Sequence, residues 1–393
     1  MRLRVINIVD SLARVNYGIW NAATNTAPAL ARNHDVVSEL WFPAATLEGD
    51  VELPAEVVVR KLPNTKTRTL KALVEEAGLN PEQDIIVTHG CWRYPTRWGA
   101  WLRSRGFRWV FVPHGMLEPW SMRQKALLKR LYFYFTEGPR TRRAAGIRAV
   151  GQPERQNLLR RYRSVIFIPN GHSARPSNFV RPQQPIQFVY LARFHAKKRP
   201  VQLAQAWLES PLSQDPAFRL VMAGPEEGER DAILKLPGAQ ACANLVVTEG
   251  VYGEEKERLL RQSHFFVLPS LSEGFPTAVV EAMSEGLVPL ISVGCNFPDA
   301  FTQGLALDSG TEVATIRKAI EEAASIMPNR RAELANRCRQ FAVSHYSLEV
   351  VARHQAFWYS ALLGLHGAQP KPEPADPDFD LNNLETQEFD DER

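Results

Sequence analysis

The sequence predicts an α/β protein made of two doubly wound domains, each with a parallel β-sheet between layers of helices. Three observations support this fold class. The chain has 393 residues, which is too long for one ordinary hydrophobic core. Apolar runs that end in Gly or Pro alternate with longer helix-like segments, as in parallel sheets that are buried on both faces. A Pro- and Ser-rich stretch of weak periodicity, residues 169–185, divides these runs into two groups and is interpreted as a linker.

The expected strands follow in chain order. In the first half they are residues 3–9, 37–42, 84–90, 108–115, 147–151 and 165–171. In the second half they are residues 186–193, 218–224, 244–250, 265–270 and 287–293. A last amphipathic segment, residues 347–365, begins at Ser347, a favourable N-cap residue. The expected organisation is an N-terminal domain over 1–170, a second domain over 171–345, a helix over 346–366 that packs back on the N-terminal domain, and a disordered acidic tail over 367–393.

Composition excludes several classes of protein. An apolar content of 45% with 23% charged residues is typical of a globular chain. The four cysteines have no zinc-site spacing, so we expect reduced thiols in a cytoplasmic protein. The first apolar run indicates a strand and not a signal peptide, and no run is long enough to span a membrane. The sequence has no dinucleotide fingerprint, which disfavours nicotinamide chemistry, and no nucleic-acid-binding signature.

Charge is distributed unevenly. The tail from residue 367 carries a net charge of −7, which leaves +11 on the rest of the chain. Residues 92–163 contain seventeen Lys and Arg side chains against three acids, interleaved with tryptophans. This pattern suits peripheral docking on an anionic membrane surface at the inner face of the cytoplasmic membrane. The alternative is that the aromatic residues are core and the arginines a solvated face. The tail also contains Asp376-Pro-Asp378, where solvation is expected and not metal ligation.

The stretch 270-SLSEGFPTAVVEAM-283 places two acids, Glu273 and Glu281, around a Gly-Phe-Pro turn. A helix is predicted over 276–286, with Pro276 at its first position and Gly274 free to adopt a positive φ. The positive end of the helix suits a phosphate, and the acids could hold hydroxyl groups on either side of it. The alternative is an ordinary loop charge followed by a helix-surface acid.

Two further features follow predicted strands. Arg193 and Lys198, in 191-LARFHAKKRP-200, fit a diphosphate clamp because arginine supplies forked donors and lysine a point charge. The alternative is a solvated basic loop. Gly224-Pro225 ends another run and suits a tight turn beneath a flat base.

The order of these motifs resembles the retaining glycosyltransferases of family 4, which have the GT-B fold. Arg193, Lys198, Gly224 and the E-x7-E pair of EGFPTAVVE occur in the family's order across the whole second domain. In the first half, 111-FVPHGMLEPWSMRQKALLKRLYF-133 is similar to the HGMLEPW stretch of bacterial polysaccharide-assembly members. Residues 168-IPNG-171 match the interdomain junction of the family.

The resemblance implies a hexosyltransferase that moves a sugar from a nucleotide-sugar donor to a glycan or polyprenyl-diphosphate-linked acceptor in lipopolysaccharide or exopolysaccharide biosynthesis. It implies no cofactor beyond the nucleotide-sugar co-substrate and no metal. Arg193 and Lys198 would neutralise the leaving diphosphate, Glu281 would bind the ribose hydroxyls, and His114 would face the sugar. The donor sugar and distal phosphate would be held by Glu273, Gly274, Phe275, Pro276 and Thr277, with Gly224 also in the donor site. Gly18 would approach the phosphates, although the chain has one glycine where family members usually have two.

Two other functions are compatible with parts of the pattern. A nucleotide-sugar epimerase of the same fold would need a defined set of acids for elimination, and the HGMLEPW resemblance disfavours it. A non-catalytic protein that binds nucleotide sugars or a membrane surface is disfavoured by the complete set of donor-site motifs.

Overall fold

The computed structural model describes residues 2–13, 16–48, 51–123, 125–173 and 181–365. The chain forms two compact units. Unit 1 comprises Met1–Gly171 and the chain from Ser347, and unit 2 comprises His172–Tyr346. Part of the linker expected over 169–185, the acidic tail and its Asp376-Pro-Asp378 lie outside the described residues.

Unit 1 contains a parallel sheet, in which the described strands have the order β3-β2-β1-β4-β5-β6-β7. The strands are β1 Leu3–Ile8, β2 Val36–Pro43, β3 Val57–Leu62, β4 Asp84–His89, β5 Arg108–Val112, β6 Gly146–Ala149 and β7 Ile166–Phe167. The order reverses between β1 and β4, which are hydrogen-bonded in parallel. In open α/β sheets this switch point is where ligands bind, beyond the carboxyl ends of the strands.

Helices surround this sheet. They are α1 Tyr17–Thr24, α2 Ala27–His34, α3 Thr67–Glu76, α4 Tyr94–Arg103, α5 Pro119–Arg123, α6 Ala126–Tyr132, α7 Gly138–Thr141, α8 Gln152–Leu159 and, after unit 2, α16 Leu348–Leu362. Residues Phe133–Glu137 form one π-helical turn. Helix α16 packs on α2, where Thr26 Oγ1 donates a hydrogen bond to Gln355 Oε1 at 2.8 Å. The ring of Trp358 covers Gly146, where a Cβ would lie 2.5 Å from the indole.

Unit 2 contains a second parallel sheet, with the order β10-β9-β8-β11-β12-β13 among its described strands. The strands are β8 Ile186–Leu191, β9 Phe218–Ala223, β10 Leu245–Thr248, β11 Phe265–Leu268, β12 Val288–Ile291 and β13 Leu307–Asp308. The helices are α9 Pro200–Glu209, α10 Arg230–Leu234, α11 Gly253–Gln262, α12 Thr277–Ser284, α13 Pro298–Thr302, α14 Val313–Ala324 and α15 Pro328–Tyr346. Here the strand order reverses between β8 and β11.

These sheets confirm the predicted fold class of two parallel-sheet α/β domains, with three differences in detail. The sequence interpretation omitted β3, which is an edge strand with Val58 and Val59 exposed, and β13, which has only two residues. The predicted helix over 276–286 begins one residue later. Pro276 is its N-cap with ψ 66°, outside the helical range, and the helix ends at Ser284. Among the described residues, no helix combines the length and the apolar composition needed to cross a bilayer.

Candidate active site

The switch point of unit 2 brings together two of the predicted site residues. Lys198 follows β8, and Glu273 follows the adjacent strand β11. The Nζ atom of Lys198 lies 2.5 Å from both carboxylate oxygens of Glu273. Glu273 is only 8% exposed, so it is not the solvated loop charge of the alternative interpretation. The two loops are therefore joined by a largely buried ion pair.

The charge of Lys198 decides the ionisation of this pair. Burial alone would raise the pKa of Glu273, but the charge and hydrogen bond of Lys198 outweigh it, and the pKa is lowered. Ser270 and Lys197 add to the lowering. Glu273 is therefore a carboxylate at neutral pH, and it accepts hydrogen bonds without donating them.

Arg193 has its own carboxylate partner. Its Nη1 atom lies 2.7 Å and 2.8 Å from the two carboxylate oxygens of Glu227, in the loop after β9. The side chain of Arg193 is 43% exposed and remains accessible from solvent. Sequence reasoning missed the role of Glu227, although the residue lies in the segment after Gly224. Each cation of the predicted clamp is thus neutralised by an acid.

Glu281 lies in the second turn of α12 and is 8% exposed, so it is not a helix-surface acid. Its Oε2 atom lies 3.1 Å from Lys256 Nζ on α11, and its Oε1 atom lies 3.7 Å from His172 Nδ1. Burial lowers the pKa of His172, and the charge of Glu281 opposes this only in part. Nothing in the local sequence of α12 pointed to Lys256 or His172 as neighbours.

The turn between Glu273 and α12 is fixed from several sides. The backbone N–H of Glu273 donates to Gly294 O at 2.8 Å, and Asn296 Nδ2 donates to Glu273 O at 2.5 Å. The ring of Phe275 lies 5.7 Å from that of Tyr346, centroid to centroid. The N–H of Thr277 donates to Phe275 O at 3.0 Å, after Pro276. Gly274 is not among the described glycines with a positive φ, so it does not use the left-handed backbone that the sequence allows, and close approach of a ligand at Gly274 stays a prediction.

Gly224 is required by packing. A Cβ at this position would lie 1.8 Å from the carbonyl oxygen of Ala192, at the end of the neighbouring strand β8. No side chain fits at that distance, so the ends of β8 and β9 approach each other through a glycine. Its predicted place beneath a nucleotide base stays a prediction.

His114 and Gly18 belong to unit 1. His114 follows β5 with φ 52°, in the left-handed region. Its Nε2 atom lies 2.9 Å from His89 Nδ1, and His89 Nε2 lies 3.0 Å from Asn7 Oδ1. Since an amide oxygen only accepts, His89 donates from Nε2, and His114 donates to His89 from Nε2. Nδ1 of His114 is then left as an acceptor.

Both histidines are neutral. Burial, followed by the charge of Arg148, lowers the pKa of His114 to about 3. Burial also lowers the pKa of His89 well below its usual value, with His114 and Arg148 contributing. The turn that carries His114 is held by Glu154, whose Oε1 accepts the N–H of Gly115 at 2.5 Å. Gly18 is the second residue of α1, with no atom within 4 Å of a Cβ built on it.

Two family models match this chain. The model described as "Glycosyl transferases group 1" matches residues 174–342, and the model described as "Glycosyl transferase 4-like domain" matches residues 17–171. Together they cover most of the chain and correspond to its two units. The chain belongs to glycosyltransferase family 4.

Solved structures share the GT-B fold of this family 4 chain. Sucrose-phosphate synthase from Thermosynechococcus elongatus superposes with a TM-score of 0.72 at 17% identity, over 93% of this chain and 100% of the other. Anabaena Alr3699/HepE, solved in complex with UDP and glucose, gives a TM-score of 0.66 at 14% identity, over 91% and 99% of the two chains. These identities support the fold alone.

Curated relatives of the family 4 chain match over a shorter region. A GDP-mannose:cellobiosyl-diphosphopolyprenol alpha-mannosyltransferase from Xanthomonas oryzae pv. oryzae is 35% identical over 140 residues, which are 35% of each chain. The protein of the same name from Komagataeibacter xylinus is 33% identical over 131 residues, 32% of this chain and 33% of the relative. The chain thus spans about a third of the length of the curated relatives that it matches.

The basic aromatic region of the family 4 chain, residues 92–163, divides into core and surface. Trp98 and Trp109 are fully buried, as the core interpretation expects. The segment after α5 differs, because its large apolar side chains point into solvent: Leu127, Leu128, Leu131, Tyr134 and Phe135 are 50–75% exposed. We call these five side chains the apolar cluster.

In the described part of the chain, no group of three or more His, Cys, Asp or Glu side chains could hold a metal ion.

Proposed function

We propose that this chain is a retaining glycosyltransferase that moves a sugar from a nucleotide-sugar donor to a lipid-linked or glycan acceptor in the assembly of a bacterial surface polysaccharide. The observation that carries the proposal is the Lys198–Glu273 pair at the switch point of unit 2, with Arg193 in the same loop as Lys198. Cations at the carboxyl ends of parallel strands are well placed for the phosphates of a nucleotide.

The proposed donor position follows from the side chains of unit 2. Arg193 and Lys198 bind the diphosphate, and Glu273 with the backbone of Gly274, Phe275 and Pro276 holds the sugar and the distal phosphate. Thr277 begins α12, whose N-terminal end favours negative charge. Glu281 accepts hydrogen bonds from the ribose hydroxyls, and Gly224 lets the base lie close to the backbone.

The proposed reaction breaks the bond between the anomeric carbon and the diphosphate oxygen. The bonding electrons leave with the nucleoside diphosphate, and the anomeric centre gains positive character. Arg193 and Lys198 stabilise the departing anion where its charge develops, since they are fixed before the reaction. The acceptor hydroxyl attacks on the same face and passes its proton to the leaving phosphate, which retains the anomeric configuration.

His114 contributes by position in this proposal. A side chain with a pKa of about 3 carries no charge at neutral pH and is a weak base. The chain of contacts from Asn7 through His89 fixes its tautomer and presents Nδ1 as an acceptor for a sugar hydroxyl. Gly18 provides an open backbone position for close approach of the phosphates.

The relatives' names suggest the substrates. We propose GDP-mannose as the donor and a polyprenyl-diphosphate-linked oligosaccharide as the acceptor, because three curated relatives carry that activity in their names. A lipid-linked acceptor also favours peripheral docking on the inner face of the cytoplasmic membrane. The basic residues and the apolar cluster of residues 92–163 support this docking.

The test is a donor panel of GDP-, UDP-, ADP- and dTDP-sugars, each with a polyprenyl-diphosphate-linked oligosaccharide. Nucleoside diphosphate release identifies the donor, and NMR of the product gives the anomeric configuration. We expect release that depends on the acceptor and a product that retains the donor's anomeric configuration. An inverted product, or donor binding with no transfer, would contradict the proposal.

A further inference from the structure

Unit 1 contains a cavity of about 380 Å³ that the donor-site residues do not line. It opens at the carboxyl ends of the strands that flank the switch point. Asp10 lies two residues after β1, and Trp92 and Arg93 follow β4, the strand beside it. The cavity therefore occupies the position in this sheet where open α/β folds bind ligands.

The charges around the cavity favour an anion. Three arginines line it, Arg93, Arg97 and Arg140, against one lining acid, Asp10. Burial raises the pKa of Asp10, and Arg93, whose Nε lies 3.8 Å from the carboxylate, lowers it only in part. Arg93 and Arg97 are exposed residues, and Arg97 Nη2 donates to Thr65 O at 2.6 Å, which leaves its other N–H groups to bind a ligand. Several guanidinium groups around one space match a ligand with more than one negative charge, such as a diphosphate.

A strained tryptophan forms one wall. Trp92 has φ 73°, a conformation that is costly for a bulky side chain. Its backbone N–H is held by the fully buried carboxylate of Glu137, at 3.1 Å from Oε1, and Glu137 also contacts Arg140 at 3.2 Å. Such strain persists only where the surroundings enforce it, and it concentrates at functional sites. The arrangement turns the half-buried indole toward Tyr132, with ring centroids 6.1 Å apart.

The apolar cluster is adjacent in sequence to a residue that lines the cavity. Tyr132 lines the cavity, ends α6, and lies between Leu131 and Tyr134 in sequence. The cluster exposes Leu127 to 75%, Tyr134 to 72% and Phe135 to 71%. Exposed apolar side chains in the segment that also lines a cationic cavity are complementary to a molecule with a hydrocarbon chain on an anionic head.

We infer that the cavity binds the diphosphate of a lipid-linked acceptor, and that the apolar cluster receives its polyprenyl chain. The inference rests on the proposed function, which supplies an acceptor of this class. Arg93 and Arg97 contact the diphosphate, Trp92 and Tyr132 cover the junction between head and chain, and Leu128, Leu131 and Phe135 lie along the hydrocarbon. The acceptor sugar then extends from the diphosphate.

The test measures binding of farnesyl diphosphate, inorganic diphosphate and farnesol to the full chain without donor. We expect farnesyl diphosphate to bind more tightly than either part alone. Arg93→Gln and Arg97→Gln should each raise its Kd by about tenfold, the effect of losing one charge-assisted hydrogen bond. Arg163→Gln is the matched control, since Arg163 is an exposed arginine of unit 1 that does not line the cavity. The Kd of farnesyl diphosphate for this variant should equal that for the unaltered chain.

A second pair of variants distinguishes binding of the hydrocarbon from binding of the diphosphate. Leu128→Ser and Phe135→Ser should weaken farnesyl diphosphate binding but leave inorganic diphosphate binding unchanged. Leu159→Ser is the control, because Leu159 is 42% exposed on α8, outside the apolar cluster. Circular dichroism confirms that each variant is folded. An Arg97→Gln Kd equal to that of the unaltered chain, or farnesyl diphosphate binding no tighter than inorganic diphosphate, would overturn the inference.

Donor binding, measured on the same preparations, keeps the two proposals apart. If GDP-sugars bind and farnesyl diphosphate does not, the acceptor inference fails while the proposed function stands. If farnesyl diphosphate binds as described and no nucleotide sugar does, the proposed function fails while the lipid-diphosphate site stands.

Discussion

The Nζ atom of Lys198 lies 2.5 Å from both carboxylate oxygens of Glu273, so two residues assigned to the donor site bind each other. Both side chains are largely buried, at 14% and 10% exposure. In the proposed donor site, a diphosphate would therefore share or replace the carboxylate of Glu273 at Lys198 and that of Glu227 at Arg193. We propose that the acids hold the cations in place before the donor binds, and this proposal has measurable consequences.

Lys198→Met should destabilise unit 2 and abolish transfer. The substitution leaves the Glu273 carboxylate buried without its main cation, which costs about 3 kcal/mol in the free energy of unfolding. The double variant Lys198→Met, Glu273→Leu should recover most of that stability, and transfer should stay absent. Denaturant titration and donor turnover measure the two effects. Lys235→Met, at an exposed position, is the control, and equal stability of the single and double variants would argue against the ion pair.

Glu227→Gln should tighten the binding of a nucleoside diphosphate. It removes the negative charge that competes for Arg193, whose forked donors then become available to the diphosphate. We expect a Kd lower by about threefold to tenfold, from an Arg193 side chain that is partly exposed. Calorimetry with GDP and UDP measures the change, with Glu322→Gln as an exposed control on α14. Weaker binding in Glu227→Gln would mean that Glu227 itself contacts the ligand.

The free energy of unfolding should decrease as the pH drops below 6.5, in part because of His114. Burial and Arg148 lower its pKa in the folded state to about 3, while the unfolded chain binds the proton near 6.5. Protons therefore bind preferentially to the unfolded state between pH 6.5 and 3, and acid favours unfolding in that window. His114→Asn keeps a residue that tolerates the left-handed backbone. Between pH 6.5 and 3, the free energy of unfolding of His114→Asn should fall less steeply than that of the unaltered chain, by up to about 1.4 kcal/mol per pH unit. Parallel pH profiles for the two chains would contradict this.

Two glycine substitutions should separate packing from ligand approach. Gly224→Ala places a Cβ 1.8 Å from Ala192 O and should cost at least about 3 kcal/mol of stability. Gly18→Ala meets no atom within 4 Å, so its melting temperature should not fall. If the donor phosphates approach the first turn of α1, Gly18→Ala should still lower kcat/KM. Unchanged kinetics in Gly18→Ala would remove Gly18 from the donor site.

The fold was predictable where burial is continuous. Strands such as β8 and β11 lie inside their sheet, so nearly every residue is apolar and the run is visible in the sequence. Strand β3 lies at the edge of the sheet, so its sequence shows neither a continuous apolar run nor a regular alternation of apolar and polar residues. Strand β13 is too short to have a pattern. The start of α12 differed by one residue because Pro276 is compatible with both the cap and the first helical position.

The sequence predicted the individual residues of the candidate site but not the ion pairs and hydrogen bonds that they form. Arg193, Lys198 and Glu273 stand in recognisable motifs at strand ends. Their partners are set by the tertiary fold, since Lys198 and Glu273 are 75 positions apart and Arg193 and Glu227 are 34 apart. The same holds for His89 and His114, which meet because β4 and β5 are neighbours. Local spacing carries no information about such contacts.

Binding of the donor by Arg193 and Glu281 is tested by kcat/KM for sugar transfer to a polyprenyl-diphosphate-linked oligosaccharide, compared between the unaltered chain, Arg193→Ala and Glu281→Ala. Arg219→Ala is the control, since Arg219 is exposed near the amino end of β9, away from the site. We expect a loss of about 100-fold or more for Arg193→Ala. We also expect a clear rise in donor KM for Glu281→Ala and no change for Arg219→Ala. Undiminished transfer in both site variants would contradict these expectations.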